Sequence, residues 1–357
     1  MNPVWWKQIS AVLRLEVKKS FFSKRGLWIY FLALIPVLIW GGHWMVMRYK
    51  AERMHNNAGA GVTKEKLMSV KQGMTVAEVE GILGRPATSR TVTRRNGTEF
   101  RYWSYSDGTT TRHITFRDGA VQRLNTEHAG CDLQEDTVIF AGIFQFFYLR
   151  LAIFFGCMFV FMNLFRGEIL DRSLHYYFLA PIRRDILVVG KYLAGLIATT
   201  VIFCVSTIAQ WALFVVHLDP INRDAYLQQN NGYQHLLAYT GVTALACLGY
   251  GSVFLAAGIL IRNPLITAAT VLIWESINGI LPATLRQISV IYYLKSLCPV
   301  EIPMQQGVPA PVALLAVNVD NAPPIVAVLG LLALSAVVVF ISTRRIKRME
   351  INYSTDN

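Results

Sequence analysis

The sequence has few charged residues for its length. Of its 357 residues, 16% are charged and 54% are hydrophobic, whereas an average soluble domain has about 25% charged residues. It also lacks the G-x-x-x-x-G-K-[ST] loop that holds nucleotide phosphates. Its only Gly-Lys pair, Gly190-Lys191, has Asp185 at the place of the first glycine and Tyr192 at the Ser/Thr place. These absences exclude ATP binding by such a loop and favour a membrane protein.

Long apolar runs are what the sequence has instead. A membrane-crossing helix needs about 20 mostly apolar residues, because the hydrocarbon core is about 30 Å thick and each helical residue rises about 1.5 Å. The first run is too long for the apolar part of a cleavable signal peptide, so we expect it to remain a membrane helix. We predict an α-helical membrane protein with six transmembrane helices, at 26–47, 138–165 (including an outer extension before 144), 186–218, 236–261, 265–285 and 324–343.

The distribution of Lys and Arg predicts the orientation of these helices. Short cationic segments next to crossings stay in the cytoplasm. The net charge is +5 over 1–25, +2 over 166–191, +1 at Arg262 and +2 over the tail 344–357, which together make +10 of the formal +12. We therefore expect a multi-pass protein of the cell (inner) membrane with both termini cytoplasmic. The basic surplus is then a topology signal, and it predicts no nucleic-acid partner.

An amphipathic helix is predicted before the first crossing, within 1–25. Apolar side chains recur every three or four residues there, and basic side chains lie elsewhere on the helix. Such a helix suits the inner membrane interface, and packing on a soluble partner is the alternative. The apolar positions are Trp6, Ile9, Leu13, Val17 and Phe21.

Residues 48–136 form a polar insert with 14 basic and 11 acidic residues, large enough for a small domain outside the membrane. Two short helices are expected within 61–83, the second with a capping box of Thr75 and Glu78. Four β-rich runs follow, separated by the turn dipeptides Asn96-Gly97, Asp107-Gly108 and Asp118-Gly119. The pattern predicts a small α+β domain with two helices followed by an antiparallel meander.

The amino-acid sequence of this insert is similar to that of a known envelope module. QGMTVAEVEGILGRP, FRYWSYSDG and ITFRDGAVQRL, within 70–124, resemble the small lipoprotein of the outer-membrane barrel-assembly machinery. That resemblance implies a docking or sensing role toward an envelope protein and no catalytic groups. His113, His128 and Cys131 have no spacing typical of a tetrahedral metal site, so no metal is expected.

A charged stretch, 166–185, interrupts the apolar part of the chain. Its apolar residues fall on one stripe from Leu170 to Phe178, which predicts a short cytoplasmic helix. Pro181 ends that helix, and Asp185 can begin the next one. A helix pushed by a partner and a solvated loop are both compatible with this pattern. The polar candidates for partner contact are Glu168, Asp171, Arg172, His175, Tyr176, Arg183 and Arg184.

This stretch resembles the coupling helix of the permease subunits of type 2 ATP-binding cassette transporters. Glu168, the run Leu179-Ala180-Pro181-Ile182-Arg183-Arg184, and Gly190-Lys191 at the start of the third crossing carry the likeness. It covers about 1–47 and 138–350, and it implies a non-enzymatic exporter subunit. ATP and Mg²⁺ would then bind a separate ATPase subunit, and a second permease copy or a paralogue would complete a dimer. Two features depart from the family pattern. Ile169 stands where a basic residue is common, and the large outer insert stands where the family often has a short loop.

Two charges fall inside predicted crossings. Arg150 lies near the outer end of the second, so its side chain is expected to snorkel to the interface. Glu275 lies near the middle of the fifth, where a carboxylate costs about 3 kcal/mol or more unless paired or hydrated. It is either protonated or hydrogen-bonded to neighbouring helices, or it lines a translocation path. Beyond it, Asn278-Gly279 and Leu281-Pro282 break the helix, and 286–322 is expected to form the re-entrant hairpin that the family resemblance implies.

Cysteine positions and alternative functions complete the expectations. Cys157, Cys204 and Cys247 fall in crossings, whereas Cys131 and Cys298 fall outside, where a disulfide between them is one alternative. A proton-coupled secondary transporter using Glu275 is a second reading of the chain, although the inverted repeats it would predict are not found. A third reading makes the protein an envelope-assembly scaffold that acts through the outer domain.

Overall fold

The computed structural model describes residues 3–22, 27–59, 61–93, 98–128, 133–170, 183–261, 263–302 and 322–347. Two compact units divide the chain. The helical unit comprises Met1–Leu38, Gln134–Ala212 and Tyr226–Asn357. The sheet unit comprises Ile39–Leu133 and Leu213–Ala225.

Among the described residues, five helices are long and apolar enough to cross a membrane. The apolar parts of the chain are helical because a membrane offers no partners for backbone N–H and C=O groups, and a helix satisfies them internally. The spans are Leu27–Asn56, Leu133–Phe165, Arg184–His217, Gly232–Leu260 and Pro324–Ile346. They correspond to five of the six predicted crossings.

The helices, in chain order, begin with α1 (Pro3–Phe22) and α2 (Leu27–Asn56). The sheet unit adds α3 (Lys64–Ser69) and α4 (Val76–Leu83). After the sheet come α5 (Leu133–Gly142), a π-helical segment (Ile143–Ile153) and α6 (Phe154–Leu170), which continue one another. The remaining helices are α7 (Arg184–His217), α8 (Pro220–Asp224), a π-helical turn (Ala225–Gln229), α9 (Gly232–Leu260), α10 (Pro264–Ser276), a 3₁₀ turn (Ile277–Ile280), α11 (Ala283–Arg286), α12 (Val290–Leu297) and α13 (Pro324–Lys347).

The fifth predicted crossing is not one continuous helix. Residues 265–285 divide between α10, which is 13 residues long, the 3₁₀ turn and α11. A 13-residue helix spans about 20 Å, short of the hydrocarbon thickness. The break lies at the Asn278-Gly279 and Leu281-Pro282 positions, as the sequence indicates. The expected hairpin over 286–322 falls partly outside the described residues, since 303–321 are not described.

Two predicted helix ends also differ. Helix α2 continues to Asn56, past the expected end at Met47, because Arg48–Asn56 is rich in good helix formers such as Arg, Lys, Glu, Ala and Met. Helix α6 continues to Leu170 and so enters the predicted coupling segment. An apolar run marks the part of a helix inside the membrane, whereas the polar turns that extend it leave no hydropathy signal.

Close packing in the helical unit depends on small residues. A Cβ at Gly258 on α9 would lie 3.0 Å from Cα of Met162 on α6, so the two backbones touch there. Hydroxyl groups connect other helices in the same unit. Tyr148 Oη donates to the Phe203 carbonyl oxygen at 2.5 Å, and the Thr207 and Thr243 hydroxyl oxygens are 2.9 Å apart. Such bonds satisfy polar groups that lipid cannot.

The sheet unit has the predicted helices followed by an antiparallel meander. Four strands, β1 (Thr88–Thr93), β2 (Glu99–Ser106), β3 (Thr110–Arg117) and β4 (Ala120–His128), pair in sequence order. The predicted Asp118-Gly119 turn has φ of 50° and 87° at its two residues, the backbone that a two-residue hairpin of this twist requires. Residues 94–97, which contain the predicted Asn96-Gly97 turn, are not described.

Alternating side chains of β2 and β3 form the core of this unit with the two short helices. Trp103, Tyr105, Ile114 and Phe116 point to one face and are buried against residues of α3 and α4, including Leu67, Val79 and Leu83. The capping box at Thr75 is confirmed: Glu78 N donates to Thr75 Oγ1, and Thr75 N donates to the Glu78 carboxylate at 2.8 Å. The buried face of the sheet and the buried residues of the two short helices therefore form one core.

The β2–β3 turn is held by a carboxylate. Asp107 Oδ1 accepts hydrogen bonds from Thr109 N at 2.8 Å, from Thr110 N at 2.6 Å and from Thr109 Oγ1 at 2.9 Å. Partial burial opposes ionisation of this group, but these bonds and the charge of Lys64 outweigh it and lower the pKa of Asp107. Because that pKa is depressed in the folded state, its contribution to stability is present above the unfolded pKa and is lost as the pH falls through the folded pKa.

We expect Asp107→Asn to loosen the β2–β3 hairpin at neutral pH, with a smaller difference from the native protein at pH 3. The amide keeps an acceptor oxygen but loses the charge that strengthens these bonds. Hydrogen exchange of strand amides in the purified full-length chain measures the effect. Asp118→Asn is the control, since the Asp118 carboxylate makes only weak contacts, accepting from Glu99 N at 3.3 Å and lying 3.6 Å from Arg117 Nε. Equal pH dependence in native protein and Asp107→Asn would contradict the assignment.

Candidate functional site

Helix α1 buries a charge. Val12 is 4% exposed and Glu16 only 1% exposed, one turn apart on the same face of the helix. The predicted stripe of Ile9, Leu13 and Val17 is half-buried and lies beside that face. The most buried side of α1 therefore includes the single acidic residue that the first 25 residues contain.

The partner of Glu16 is Lys191 on α7. Lys191 Nζ lies 2.7 Å from Glu16 Oε1, and the two side chains are 0% and 1% exposed. The ammonium also lies 5.6 Å from the centre of the Phe165 ring on α6, within the range of a cation–π interaction. Removing one partner of a buried ion pair leaves an uncompensated charge, at a cost of about 3 to 5 kcal/mol. The pair consequently holds three helices, α1, α6 and α7, at one point.

Gly190 allows this contact. A Cβ at Gly190 would lie 2.9 Å from Val12 Cγ1 and 3.8 Å from the Ile9 carbonyl oxygen. Only a residue without a side chain lets α1 approach α7 this closely. The Gly190-Lys191 pair thus provides the close approach and the buried cation at adjacent positions. This α1–α7 junction, made by Val12, Glu16, Gly190, Lys191 and Phe165, is the candidate functional site.

The junction lies close in sequence to the predicted coupling residues. Lys191 is two turns into α7, about 10 Å along the helix from its first residue, Arg184. Arg183 pairs with Asp185, with Nη2 and Oδ2 3.0 Å apart at the start of α7.

Glu168 lies in α6, but its side chain is not described. Asp171, Arg172, His175 and Tyr176 fall within 171–182, outside the described residues, so the coupling helix remains a prediction.

Glu275 lies in a second buried polar site, at the start of α12. Its carboxylate is 6% exposed. Oε1 accepts from Val290 N at 3.0 Å, and Oε2 accepts from Ser289 Oγ at 2.9 Å and Ile291 N at 2.8 Å. The first N–H groups of a helix have no partner within it, and a negative charge there is favoured by the helix dipole. Glu275 of α10 thereby caps α12, which matches the hydrogen-bonded alternative.

Arg150 differs from its predicted placement. It lies in the π-helical segment and is 8% exposed, so its guanidinium is inside the helical unit and does not snorkel to the surface. It interacts electrostatically with Glu275 and Tyr250. A buried guanidinium needs interacting groups nearby, because the low dielectric of the interior penalises an isolated charge. The wider turns of the π-helix mark this region as unusual, since such segments are mostly single turns near functional sites.

The cysteines follow the predicted map in part. Cys157 and Cys247 are buried in α6 and α9, where Cys157 Sγ lies 3.9 Å from the Cys247 carbonyl oxygen. Cys204 lies in α7, 3.7 Å from the Thr240 carbonyl oxygen. Cys298 donates to the Leu294 carbonyl oxygen at 3.4 Å. Cys131 lies outside the described residues, so the Cys131–Cys298 disulfide stays a prediction.

Sequence reasoning did not find the Glu16–Lys191 pair. Lys191 was counted with the cationic segment that precedes a crossing, and Glu16 entered only the net charge of 1–25. Two signals pointed the other way. Glu16 shares the face of Val12 at a spacing of four, and Lys191 directly follows the uncharged run Ile186–Gly190 within its helix. Neither signal identifies the partner, because the two residues are 175 positions apart.

Comparisons with protein-family models, with curated proteins and with solved structures gave no match. The geometry of the α1–α7 junction and the sequence pattern around it therefore carry the functional argument.

We expect Lys191→Met to destabilise the protein by about 3 to 5 kcal/mol, since Glu16 would remain buried without its partner. Glu16→Met combined with Lys191→Met should recover most of that loss, because an apolar pair fills the site without a desolvated charge. Thermal unfolding of the purified protein in detergent measures both effects. Lys18→Met, at an exposed position on α1, is the matched control and should change little. A double variant no more stable than Lys191→Met would contradict the ion-pair assignment.

We expect Glu275→Gln to uncap α12. Glutamine has one acceptor oxygen, so its NH₂ group would face an N–H or hydroxyl donor on the other side of the site. The amides of 290–297 should then exchange with solvent at least tenfold faster, as followed by hydrogen exchange of the full chain. Ser289→Ala removes one donor and leaves both backbone bonds, so its effect should be smaller, about 1 kcal/mol. Unchanged exchange of α12 in Glu275→Gln would refute the capping role.

Proposed function

We propose that this chain is the transmembrane permease subunit of an ATP-driven exporter of the type 2 ATP-binding cassette class. In this proposal a separate ATPase subunit binds ATP and Mg²⁺, grips the cytoplasmic segment 166–185, and moves the helices of the permease. A second copy of this chain or a paralogue completes the transport path. The chain itself carries out no catalysis.

The observation that carries the proposal is the buried Glu16–Lys191 ion pair. The helices α6 and α7 flank the proposed coupling segment, and α7 bears Lys191 two turns after it begins. Phe165, near the end of α6, contacts the same ammonium. A displacement of the segment would thus reach α6 and α7 together and pass to α1 through a bond of 2.7 Å. Such a junction could transmit force between the interfacial helix α1 and the transmembrane helices α6 and α7.

Packing supports transmission over a longer path. The Gly190–Val12 approach leaves little free space between α1 and α7, and close-packed interiors transmit strain because they have few voids. Further along α7, Ser206 Oγ donates to the Ala33 carbonyl oxygen of α2 at 2.6 Å, and Thr207 bonds Thr243 of α9. Helix α7 is therefore tied to its neighbours along much of its length. Movement of its cytoplasmic end would be expected to shift the bundle as a whole.

The secondary-transporter reading gives Glu275 a different task. Protonation turns one carboxylate oxygen into an O–H donor and weakens the hydrogen bonds that this oxygen accepts. Glu275 accepts three hydrogen bonds, two from backbone groups of α12, so proton binding would compete with the cap of that helix. This geometry favours a positioning role for Glu275 and gives the proton-coupled reading no support of its own. The envelope-assembly reading depends on the sheet unit and is tested separately.

The experiment purifies the full chain from its native membrane and measures which ATPase accompanies it. Glu168→Gln with Arg172→Gln should lower the recovered ATPase at least tenfold, since these residues lie in the proposed contact segment. Glu16→Met with Lys191→Met should keep the ATPase bound but lower the transport-coupled hydrolysis rate about tenfold, or ~1.4 kcal/mol in the barrier. Lys18→Met should change neither measurement.

Three results would overturn the proposal. ATPase recovery that does not respond to the Glu168 and Arg172 changes would remove the coupling contact. Transport that needs no ATP and is abolished by Glu275→Gln would establish the proton-coupled reading. Loss of function on deleting 60–126, with no effect of inactivating the ATPase, would establish the envelope-assembly reading.

A further inference from the structure

The face of the sheet away from its core forms a pocket. Cross-strand neighbours point to the same side of a sheet, and on this side Arg90 lies opposite Tyr102, while Ser104 lies opposite His113. The last turns of α2 contribute the remaining wall. Their backbone is attached to the sheet, because Ser106 Oγ donates to the Met54 carbonyl oxygen at 2.9 Å. The pocket between them has a volume of about 580 Å³.

Positive charge and hydroxyl groups line this pocket. Lys50, Arg53 and Arg90 contribute three cations, and His113 contributes an imidazole. None of the described lining residues carries a carboxylate, so the charge of the pocket has one sign. Arginine is suited to phosphate because its planar guanidinium donates two parallel hydrogen bonds to two oxygens. The other polar or aromatic residues of the wall are Asn57, Thr88, Tyr102, Ser104, Ser106, Thr111 and Thr115.

The sequence of the same helix suits a position of the pocket near the membrane surface. Ile39, Met45 and Val46 are exposed apolar residues on α2, as expected of a helix facing lipid. Lys50 and Arg53 follow Met47, the last residue of the predicted crossing, by about 5 and 9 Å along the helix axis. Trp44 and Tyr49 lie on either side of Met47, and such aromatic residues concentrate at the headgroup level. The guanidinium groups of Arg48 and Arg53 lie 5.2 and 5.5 Å from the rings of Trp44 and Tyr49.

We propose that this pocket binds the headgroup of an anionic phospholipid from the leaflet that α2 enters. The phosphodiester would be held by Arg53 and Arg90, with hydroxyl groups of β2 and β3 as further donors, while the acyl chains lie along the exposed apolar face of α2. Charge of one sign favours an anion, and the continuity with a lipid-facing helix favours a lipid over a soluble phosphate. The site goes beyond the proposed export function, because a bound headgroup would anchor the sheet unit whatever the permease transports.

The consequence for the sheet unit is a defined height above the membrane. Basic residues are attracted to an anionic surface, and this attraction falls off within a Debye length of about 8 Å. A headgroup in the pocket adds directed hydrogen bonds to this attraction. The lipid would thus link the end of α2 to strands β1, β2 and β3 through one phosphate.

The test titrates the purified full-length protein in detergent with a short-chain phosphatidylglycerol and follows the bound lipid by native mass spectrometry. We expect Arg53→Gln with Arg90→Gln to weaken binding at least tenfold. Lys71→Gln should leave it unchanged, since Lys71 is an exposed cation of the same unit outside the pocket. Short-chain phosphatidylcholine, which is zwitterionic, should bind at least tenfold more weakly than phosphatidylglycerol.

Hydrogen exchange of the strand amides verifies that the double variant keeps its sheet. Unchanged phosphatidylglycerol binding in a folded double variant would overturn the proposal, as would equal binding of the two lipids. Inorganic phosphate that competes at the same concentration as the lipid would show a soluble anion site instead. Displacement of the lipid by an acidic peptide of much higher affinity would assign the pocket to a protein partner. The outcome does not depend on the ATPase, so it is separable from the export proposal.

Discussion

A buried ion pair is the constraint on which the helical unit depends. Two charges have been removed from water at the contact of α1 with α7, and each partly compensates the other at a distance of 2.7 Å. The glycine beside the lysine brings the helices close enough for the bond to form. Since neither helix can move off without exposing or orphaning a charge, the pair fixes the position of α1. A buried pair of this kind positions helices but is weak evidence for stability, because desolvation offsets much of its attraction.

Other charges inside the helical unit follow the same rule. Glu275 is held by three donors at the start of α12, and it joins a helix broken after Ser276 to the short helix that follows. Arg150 interacts electrostatically with that carboxylate. An interior without water allows a charge only where the fold provides a partner. The polar residues of this unit are therefore points at which helices are fastened to one another.

The sheet unit is organised by local rules, and its prediction was correspondingly more successful. The capping box at Thr75, the left-handed turn at Asp118-Gly119 and the alternation of Trp103 and Tyr105 each involve residues close in sequence. Its outer face shows what local rules omit. Arg53 and Arg90 share a pocket, yet they come from a helix and a strand, so neither charge looks unusual in its own segment.

By itself, the sequence determined that this is a membrane protein with several long apolar helices and a small domain of two helices and four antiparallel strands. Hydropathy and turn chemistry act over tens of residues or fewer, so they can be read along the chain. Only the tertiary structure decided that the fifth apolar run is divided, that Arg150 is buried, and that Lys191 has Glu16 as its partner. Those outcomes depend on which helices meet, and a charge in a low-dielectric interior is governed by the group that faces it, however distant that group is in sequence.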